Sequence, residues 1–169
     1  MAELSLQERL QPSLLDRLRD DHPEEQSVDK VNSRVLTLSQ LRQSVQRDIA
    51  WLLNACNLER EVKGYSEVEK STINYGIPDL AGFTVSSLDV GVLEKTIEQA
   101  LENFEPRLLK NSIRLRAELD AEKMSHNTLL IDIECDLWAF PAPIELLLRT
   151  ELDFESGEVS VTEVARRSR

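Results

Sequence analysis

The feature that most constrains the fold is a change in apolar spacing at Glu105-Pro106-Arg107. From about residue 88 to 104, apolar residues recur every three or four positions, which predicts an amphipathic helix capped by Ser86 or Ser87. From Ile113 onward they alternate with charged residues, which predicts half-buried strands. The proline clashes with the preceding turn, so the helix stops there. The chain therefore joins helix to sheet through a stiff, charged junction.

An earlier segment, residues 38–53, also has helical spacing. Thr37 and Gln40 stand at capping-box spacing, and Asn54 suits the helix end. The charged residues off its apolar face are expected to point to solvent or to a partner: Arg42, Arg47 and Asp48. Between the two helices, a loop rich in turn formers carries apolar residues that should pack on the body: Ile73, Tyr75, Ile77 and Leu80.

The last third of the chain alternates over residues 113–120, 129–138 and 144–154, with a short fourth strand at Val159 and Val161. Hairpin turns are predicted at Ser125-His126-Asn127 and Glu155-Ser156-Gly157-Glu158. The expected fold is α+β, with two amphipathic helices packed on one face of an antiparallel β-meander of three to four strands. Outer-face pairing is expected between two cations and three carboxylates: Arg114 and Arg116 with Asp132, Glu134 and Asp136.

The chain divides into an N-terminal helical arm and acidic linker (1–33), one α+β domain (34–165) and a basic tail (166–169). The arm is leucine-rich and is broken at Pro12. Its leucines either fold back on the body or anchor another protein, since both remove them from water. The sequence leaves these alternatives open.

Charge excludes several partners. Between Thr128 and Val164, nine acidic residues stand against one base, Arg149, a net charge of −8 that repels nucleic acid and anionic lipid. No apolar run approaches the roughly 20 residues that span a bilayer, so direct membrane insertion is not expected. Without an export signal, Cys56 and Cys135 are expected to be reduced thiols in the cytosol, with Cys135 a small core residue.

Motifs for catalysis and cofactors are not found in the sequence. The histidines, His22 and His126, have no ligand at metal-binding spacing, so no metal is expected. There is no glycine-rich phosphate loop and no Gly-x-Ser-x-Gly elbow, so neither a cofactor nor nucleophilic catalysis is expected.

The candidate site is therefore the corner itself: Glu105, Pro106 and Arg107. One interpretation is an ordinary helix stop with solvated charges. The other is a rigid charged rim, with Glu105 exposed and ionised, that grips a partner. A glycosidase acid would need a carboxyl whose pKa is raised by burial, whereas a cation as close as Arg107 acts in the opposite direction.

Four segments together resemble a known family. They occur in the order Leu14-Leu15-Asp16-Arg17-Leu18, Arg47-Asp48-Ile49-Ala50-Trp51-Leu52-Leu53-Asn54, Ser71-Thr72-Ile73-Asn74-Tyr75-Gly76-Ile77-Pro78-Asp79-Leu80 and Phe104-Glu105-Pro106-Arg107-Leu108. With these the chain resembles the TssE baseplate subunits of bacterial type VI secretion, which are similar to the gene-25-like wedge proteins of contractile phage tails. The Glu-Pro-Arg tripeptide is the hallmark of that family.

The resemblance implies a structural adaptor and not an enzyme. Such a subunit would link the wedge subunits TssF and TssG, gripped by the Glu-Pro-Arg corner, to the sheath subunits TssB and TssC, and would start sheath polymerisation. It would be cytoplasmic and recruited to the inner membrane as part of the baseplate. The alternatives are a peptidoglycan-cleaving, lysozyme-like hydrolase and a regulatory binding domain unrelated to secretion. For the adaptor, the strands over residues 144–164 are expected to accept a sheath strand at an open edge.

Overall fold

Helices and strands follow one another as the residue spacing predicts. The computed structural model describes residues 13–18, 37–58, 62, 64–84, 88–118, 127–139 and 142–164. Its helices are α1 (Leu14–Leu18), α2 (Leu38–Leu53), α3 (Ser66–Glu69) and α4 (Val90–Phe104), and its strands are β1 (Arg114–Glu118), β2 (Thr128–Leu137), β3 (Ile144–Asp153) and β4 (Val159–Glu163). The predicted α+β class is confirmed. None of the helices in these ranges is both long enough and apolar enough to span a bilayer.

Local capping sets the helix ends. Thr37 and Gln40 form the predicted capping box, and α2 ends at Asn54 as predicted. Helix α4 begins later than predicted, because Asp89, and not Ser86 or Ser87, is its cap. The Asp89 carboxylate accepts a hydrogen bond of 3.2 Å from the Val92 N–H, which satisfies a free donor in the first turn.

The four strands form one antiparallel sheet in the order β1-β2-β3-β4. The β1–β2 register places Arg114 opposite Glu134 and Arg116 opposite Asp132, as predicted. The turn after β3 is confirmed: Gly157, at φ +74°, closes it by donating to the Asp153 carbonyl. The other predicted turn falls partly on residues 125 and 126, which lie outside the described residues, as do the first arm residues, the acidic linker and the basic tail.

The core lies between the sheet and the two long helices. The largest fully buried side chains come from both layers: Ile49, Leu52, Ile97, Leu101, Ile113, Leu129, Ile131, Ile133, Leu137, Leu146, Leu148 and Phe154. Cys135 is buried among them as predicted, and burial, with the charges of Asp136 and Glu105, raises the pKa of its thiol to about 12.

The loop between α3 and α4 packs on the body, with one exception. Ile77 and Leu80 are buried, whereas Ile73 is 72% exposed, so the prediction for Ile73 was wrong. The close approach of this loop to α2 requires Gly76, whose φ is +121° and where a Cβ would lie 2.1 Å from the Ala55 carbonyl oxygen. This loop forms one wall of the site described below.

The edge of β4 is covered, contrary to the expectation of an open acceptor edge at residues 144–164. The Asn54 side chain pairs with both peptide groups of Val159, at 2.7 Å to the carbonyl and 2.9 Å from the N–H. Gln46 donates to the Val161 carbonyl at 2.8 Å. Helix α2 thus protects this edge with amide side chains, which hinder strand addition there.

Candidate functional site

The corner between α4 and the sheet is fixed at both ends by backbone hydrogen bonds. The Glu105 N–H donates to the Leu101 carbonyl and closes the last turn of α4. Beyond the proline, the Arg107 carbonyl accepts from the Trp138 N–H, and the Leu109 N–H donates to the Asp136 carbonyl. The corner is thus joined to the end of β2, so its geometry is set by the sheet as well as by the helix.

Glu105 is buried, with only 5% of its surface exposed, so the expectation of an exposed rim was wrong. Its carboxylate is held on both oxygens by Arg107, whose Nε donates to Oε1 at 2.7 Å and Nη2 to Oε2 at 2.6 Å. The Arg107 backbone N–H also donates to Oε1 at 3.1 Å. Because Pro106 holds the chain in a tight turn, the two side chains close on each other. The interpretation of the pair as a helix stop with solvated charges is therefore also wrong.

Helix α2 supplies a second set of partners for the same guanidinium. Arg107 Nη2 lies 2.6 Å from Asp48 Oδ2, and Nη1 donates to Ser44 Oγ at 3.1 Å. Asp48 therefore does not point to solvent or to a partner, as was expected, but ties α2 to the corner. Ser44 and Asp48 are four residues apart, so they lie on one face of the helix.

The arm reaches the same network through a carboxylate. Asp16, in α1, lies 2.7 Å from Arg47 Nη2 and accepts from Ser44 Oγ at 2.8 Å. Arg47 also bonds Asp48, at 2.8 Å. The described part of the arm does fold back, but by polar contacts. Two leucines of α1, Leu14 and Leu18, are 72% and 75% exposed.

These contacts alter the protonation of the network. Burial would lower the pKa of Arg107, but the hydrogen bonds and charges of Glu105 and Asp48 outweigh it and raise that pKa. Burial raises the pKa of Asp16, but its hydrogen bonds from Ser44, Ser13 and Arg47 outweigh it and lower that pKa. The guanidinium and the Asp16 carboxylate therefore stay charged near neutral pH.

A groove of about 470 Å³ runs beside this network. Its aromatic lining includes Tyr75 and Phe104, whose rings meet edge to face at 5.3 Å between centroids. Trp51 lies on the rim, half exposed, with the Arg47 guanidinium 4.8 Å from its ring centroid. Pro106 and Leu15 complete the lining. Apolar surface bordered by fixed charges is typical of a protein-binding groove.

Glu105 is not arranged as a general acid. A general acid must carry a proton, whereas both oxygens of Glu105 accept hydrogen bonds from a guanidinium. Across the described residues, no group of three or more metal-ligating side chains is found. What the network does is lock α1, α2 and the end of α4 together and so fix the shape of the groove.

Sequence reasoning identified Glu105, Pro106 and Arg107, and the structure brings them together in one turn. It missed Ser44 and Asp48 as partners of Arg107, and Asp16 as a partner of Ser44 and Arg47. The four-residue spacing places Ser44 and Asp48 on one face of α2, but the solvent face of any amphipathic helix has the same spacing, so the spacing did not indicate a buried partner. No local signal pointed to Asp16.

Comparison with known proteins matches the chain to a protein family. The family described as Baseplate wedge protein gp25 matches residues 39–142, which is more than half of the chain. The match includes all of α2 but its first residue, the whole of α4, the Glu105–Arg107 corner and the first two strands. No curated protein and no solved structure matches the chain.

Proposed function

The chain belongs to the Baseplate wedge protein gp25 family, and on that premise we propose that it acts as the TssE-type adaptor of a type VI secretion baseplate. Membership supports a structural role in a baseplate. The proposal adds the partners: the wedge subunits TssF and TssG on one side and the TssB/TssC sheath on the other, with the adaptor starting sheath polymerisation. It would then act in the cytoplasm and reach the inner membrane through the baseplate.

One observation supports the wedge contact: a groove with aromatic lining lies directly against the Glu-Pro-Arg corner. A helix of the TssF/TssG bundle would lay apolar residues on Trp51, Phe104 and Pro106. Glu105 takes no direct part in this contact, because it is buried and paired. Its role is to hold Arg107 and the proline turn in place, so that the groove exists before the partner arrives.

Because Glu105 supports the groove and the aromatic residues contact the partner, substitutions in the groove lining test the contact more directly than substitutions in the corner. Glu105 and Arg107 support the fold, so their replacement confounds binding with stability. Trp51 is a better probe because it is half exposed and lies on the groove rim. Phe83 is a matched control: it is an exposed aromatic residue near the opposite end of the sheet, where its carbonyl accepts from Asn127.

The test is co-purification of the chain with TssF and TssG. We expect Trp51→Ala to reduce the recovered wedge complex roughly tenfold, as the loss of an aromatic contact residue in an interface does. Phe83→Ala should leave recovery unchanged, and both variants should melt within a few degrees of the parent. Equal recovery with both variants would exclude this groove as the wedge contact. Failure of the parent to recover either wedge or sheath subunits would instead favour a regulatory domain unrelated to secretion.

The peptidoglycan hydrolase remains the alternative from another class, and no feature of the corner favours it. A retaining or inverting glycosidase needs two carboxyl groups facing one cleft, one of them protonated. Here the two carboxylates nearest the groove, Glu105 and Asp48, both bind the same guanidinium. An adaptor needs only the geometry that this pairing provides.

A further inference from the structure

The groove beside the corner contains a guanidinium that the fold leaves incompletely paired. A guanidinium has five N–H donors. In Arg107 the Nε donor and both Nη2 donors go to Glu105 and Asp48, and one Nη1 donor goes to Ser44. Among the described residues, no acceptor takes the second Nη1 donor. The Arg107 side chain lines the groove and is 23% exposed, so a ligand in the groove can reach this N–H.

The Tyr75 hydroxyl is a second unpaired donor in the same groove. Tyr75 is half-buried, and its ring packs against that of Phe104. Its hydroxyl makes no hydrogen bond within the part of the chain that the structure describes. Burial and the nearby charges of Asp48 and Glu105 raise its pKa, so the hydroxyl keeps its proton at neutral pH and can donate it.

The two carboxylates that line the groove have little remaining capacity to accept. Asp48 Oδ1 accepts from two nitrogens of Arg47, and Glu105 Oε1 accepts from the backbone N–H and Nε of Arg107. Asp48 Oδ2 and Glu105 Oε2 each accept one bond, which leaves one lone pair on each. Glu105 is buried, whereas Asp48 is partly exposed, so a ligand can reach only the lone pair of Asp48.

The charge of the network narrows the choice of ligand further. Three carboxylates (Asp16, Asp48 and Glu105) stand against two guanidinium groups (Arg47 and Arg107), which gives a net charge of −1. An incoming carboxylate could accept both free donors, but it would bring a second uncompensated negative charge into a largely apolar groove. An incoming ammonium offers no acceptor to the donors. A primary amide is neutral, and it has both a carbonyl acceptor and an NH₂ donor.

We propose that the groove binds a side-chain amide, that of glutamine or asparagine, carried on an apolar helical segment of the partner. The amide oxygen would accept from Arg107 Nη1 and from the Tyr75 hydroxyl, and the amide NH₂ would donate to Asp48 Oδ2. Apolar neighbours in the segment would cover Trp51. This inference rests on the proposed function for the place where the partner binds, and it adds the chemistry by which the groove recognises that partner.

The two free donors also discriminate against a wholly apolar segment. Such a segment would exclude water from the groove and leave the Arg107 and Tyr75 donors without any acceptor, and an unpaired buried donor costs binding free energy. An amide supplies the acceptor and avoids this cost. We therefore expect the groove to prefer an amide-bearing segment over its apolar equivalent by roughly tenfold in affinity.

The test is a fluorescence-anisotropy titration of the full chain into labelled, end-blocked, amphipathic helical peptides that differ at one central position of the apolar face. The peptides carry glutamine, glutamate, lysine or leucine at that position. We expect the glutamine peptide to bind roughly tenfold more tightly than each of the others. Equal or tighter binding of any of those three would overturn the proposal, and so would an absence of binding by all four.

Two matched tyrosine variants assign the preference to the groove. Tyr75→Phe removes the hydroxyl and keeps the ring, and Tyr65→Phe does the same at an exposed tyrosine outside the groove lining. Neither hydroxyl bonds another described residue, so both variants should melt like the parent. We expect Tyr75→Phe to weaken the glutamine peptide roughly fivefold without weakening the leucine peptide, and Tyr65→Phe to change neither. Undiminished glutamine binding in Tyr75→Phe, or an equal loss in Tyr65→Phe, would overturn the assignment.

Co-purification with TssF and TssG separates this inference from the proposed function. Trp51→Ala tests whether the groove is the wedge contact, and Tyr75→Phe tests whether that contact uses the groove hydroxyl. We expect both variants to recover less wedge complex than the parent and Tyr65→Phe to recover as much. Loss with Trp51→Ala but not with Tyr75→Phe would overturn the amide inference and leave the proposed function standing. A parent chain that prefers the glutamine peptide but recovers no wedge subunit would overturn the proposed function and support the recognition chemistry.

Discussion

Two pairs of carboxylate and guanidinium in this protein have nearly the same geometry and different surroundings. In the corner, Arg107 holds Glu105 through Nε and Nη2 at 2.7 and 2.6 Å. On the outer face of the sheet, Arg149 holds Asp132 through the same two nitrogens, both at 2.7 Å. The corner carboxylate is 5% exposed and the sheet carboxylate 21%. The guanidinium groups are 23% and 41% exposed.

The comparison shows that hydrogen-bond geometry alone does not determine how much an ion pair contributes to the stability of the fold. Water screens the charge of Arg149 and can take the place of Asp132 as its hydrogen-bond partner. A surface pair of this kind therefore contributes little to stability. Glu105 has no such replacement, and loss of its partner would leave a buried charge unpaired. Arg107 also binds Asp48 at 2.6 Å, whereas the second contact of Arg149, to Glu118, is longer at 3.5 Å. The corner pair should therefore support the fold, and the sheet pair should not.

The largest expected effect is at the corner. Arg107→Met should lower the free energy of unfolding by about 3 kcal/mol or more, because it leaves Glu105 buried without a counter-charge. Urea unfolding monitored by circular dichroism measures this. A solvated or rim-exposed pair, as the sequence suggested, would contribute little to stability, and the burial of Glu105 reverses that expectation.

The matched control removes both charges. Glu105→Met/Arg107→Met should recover most of the lost stability, because two apolar side chains of similar volume leave no unpaired ion in the corner. A double variant as unstable as the single one would show that the contacts of Arg107 with Ser44 and Asp48 matter more than the buried carboxylate. A single variant within about 0.5 kcal/mol of the parent would remove the distinction between the two pairs.

How far the sequence predicts this molecule depends on how local each feature is. The capping box of Thr37 and Gln40 spans four residues, and its side-chain and backbone partners could be predicted together. The alternation of β2 and β3 likewise places every second residue in the core without knowledge of the partner strand. These features decide the fold class.

The features that were missed are contacts between distant parts of the chain. Asp48 and Arg107 are 59 residues apart, and Ser44 and Asp16 are 28 apart. A charged residue on a helix has the same sequence pattern whether it faces solvent or another charge, so its burial could not be predicted. The same holds for the β4 edge, which Asn54 covers from 105 residues away.

An intermediate effect is expected at Asp16, which joins the arm to the corner. Its pKa is lowered in the folded chain from the ordinary aspartate value of 3.8, so its charge contributes stability above that pH, and this stability is lost as the pH falls through the folded pKa. Asp16→Asn should therefore cost about 1 kcal/mol at pH 7, and this difference from the parent should shrink below about pH 4.

Urea unfolding of both proteins over the acidic range measures this difference. Asp153 is a useful control, because its pKa is also lowered, by backbone hydrogen bonds from Glu155 and Ser156, but in a turn away from the corner. The Asp16→Asn difference should shrink, but not vanish, in a variant that also carries Arg47→Met, because Ser44 and Ser13 still donate to the carboxylate. The difference for Asp153→Asn should be unchanged by Arg47→Met. A difference for Asp16→Asn that does not change with pH would mean that its charge is not what docks the arm.

The smallest effect is expected at the sheet pair and completes the comparison. Arg149→Ala removes two hydrogen bonds as short as those of Arg107, yet Asp132 is left where water can reach it. We expect a loss below about 1 kcal/mol, and less in high salt, which screens exposed charges. The measurement is urea unfolding of parent and variant at low and high salt.

Arg149 also stands on an acidic face, so its removal increases the repulsion between the carboxylates of β2 and β3. This repulsion adds to the loss of stability at low salt and disappears when salt screens the charges. A salt-independent loss as large as that of Arg107→Met would show that geometry, and not burial, sets the contribution of these pairs.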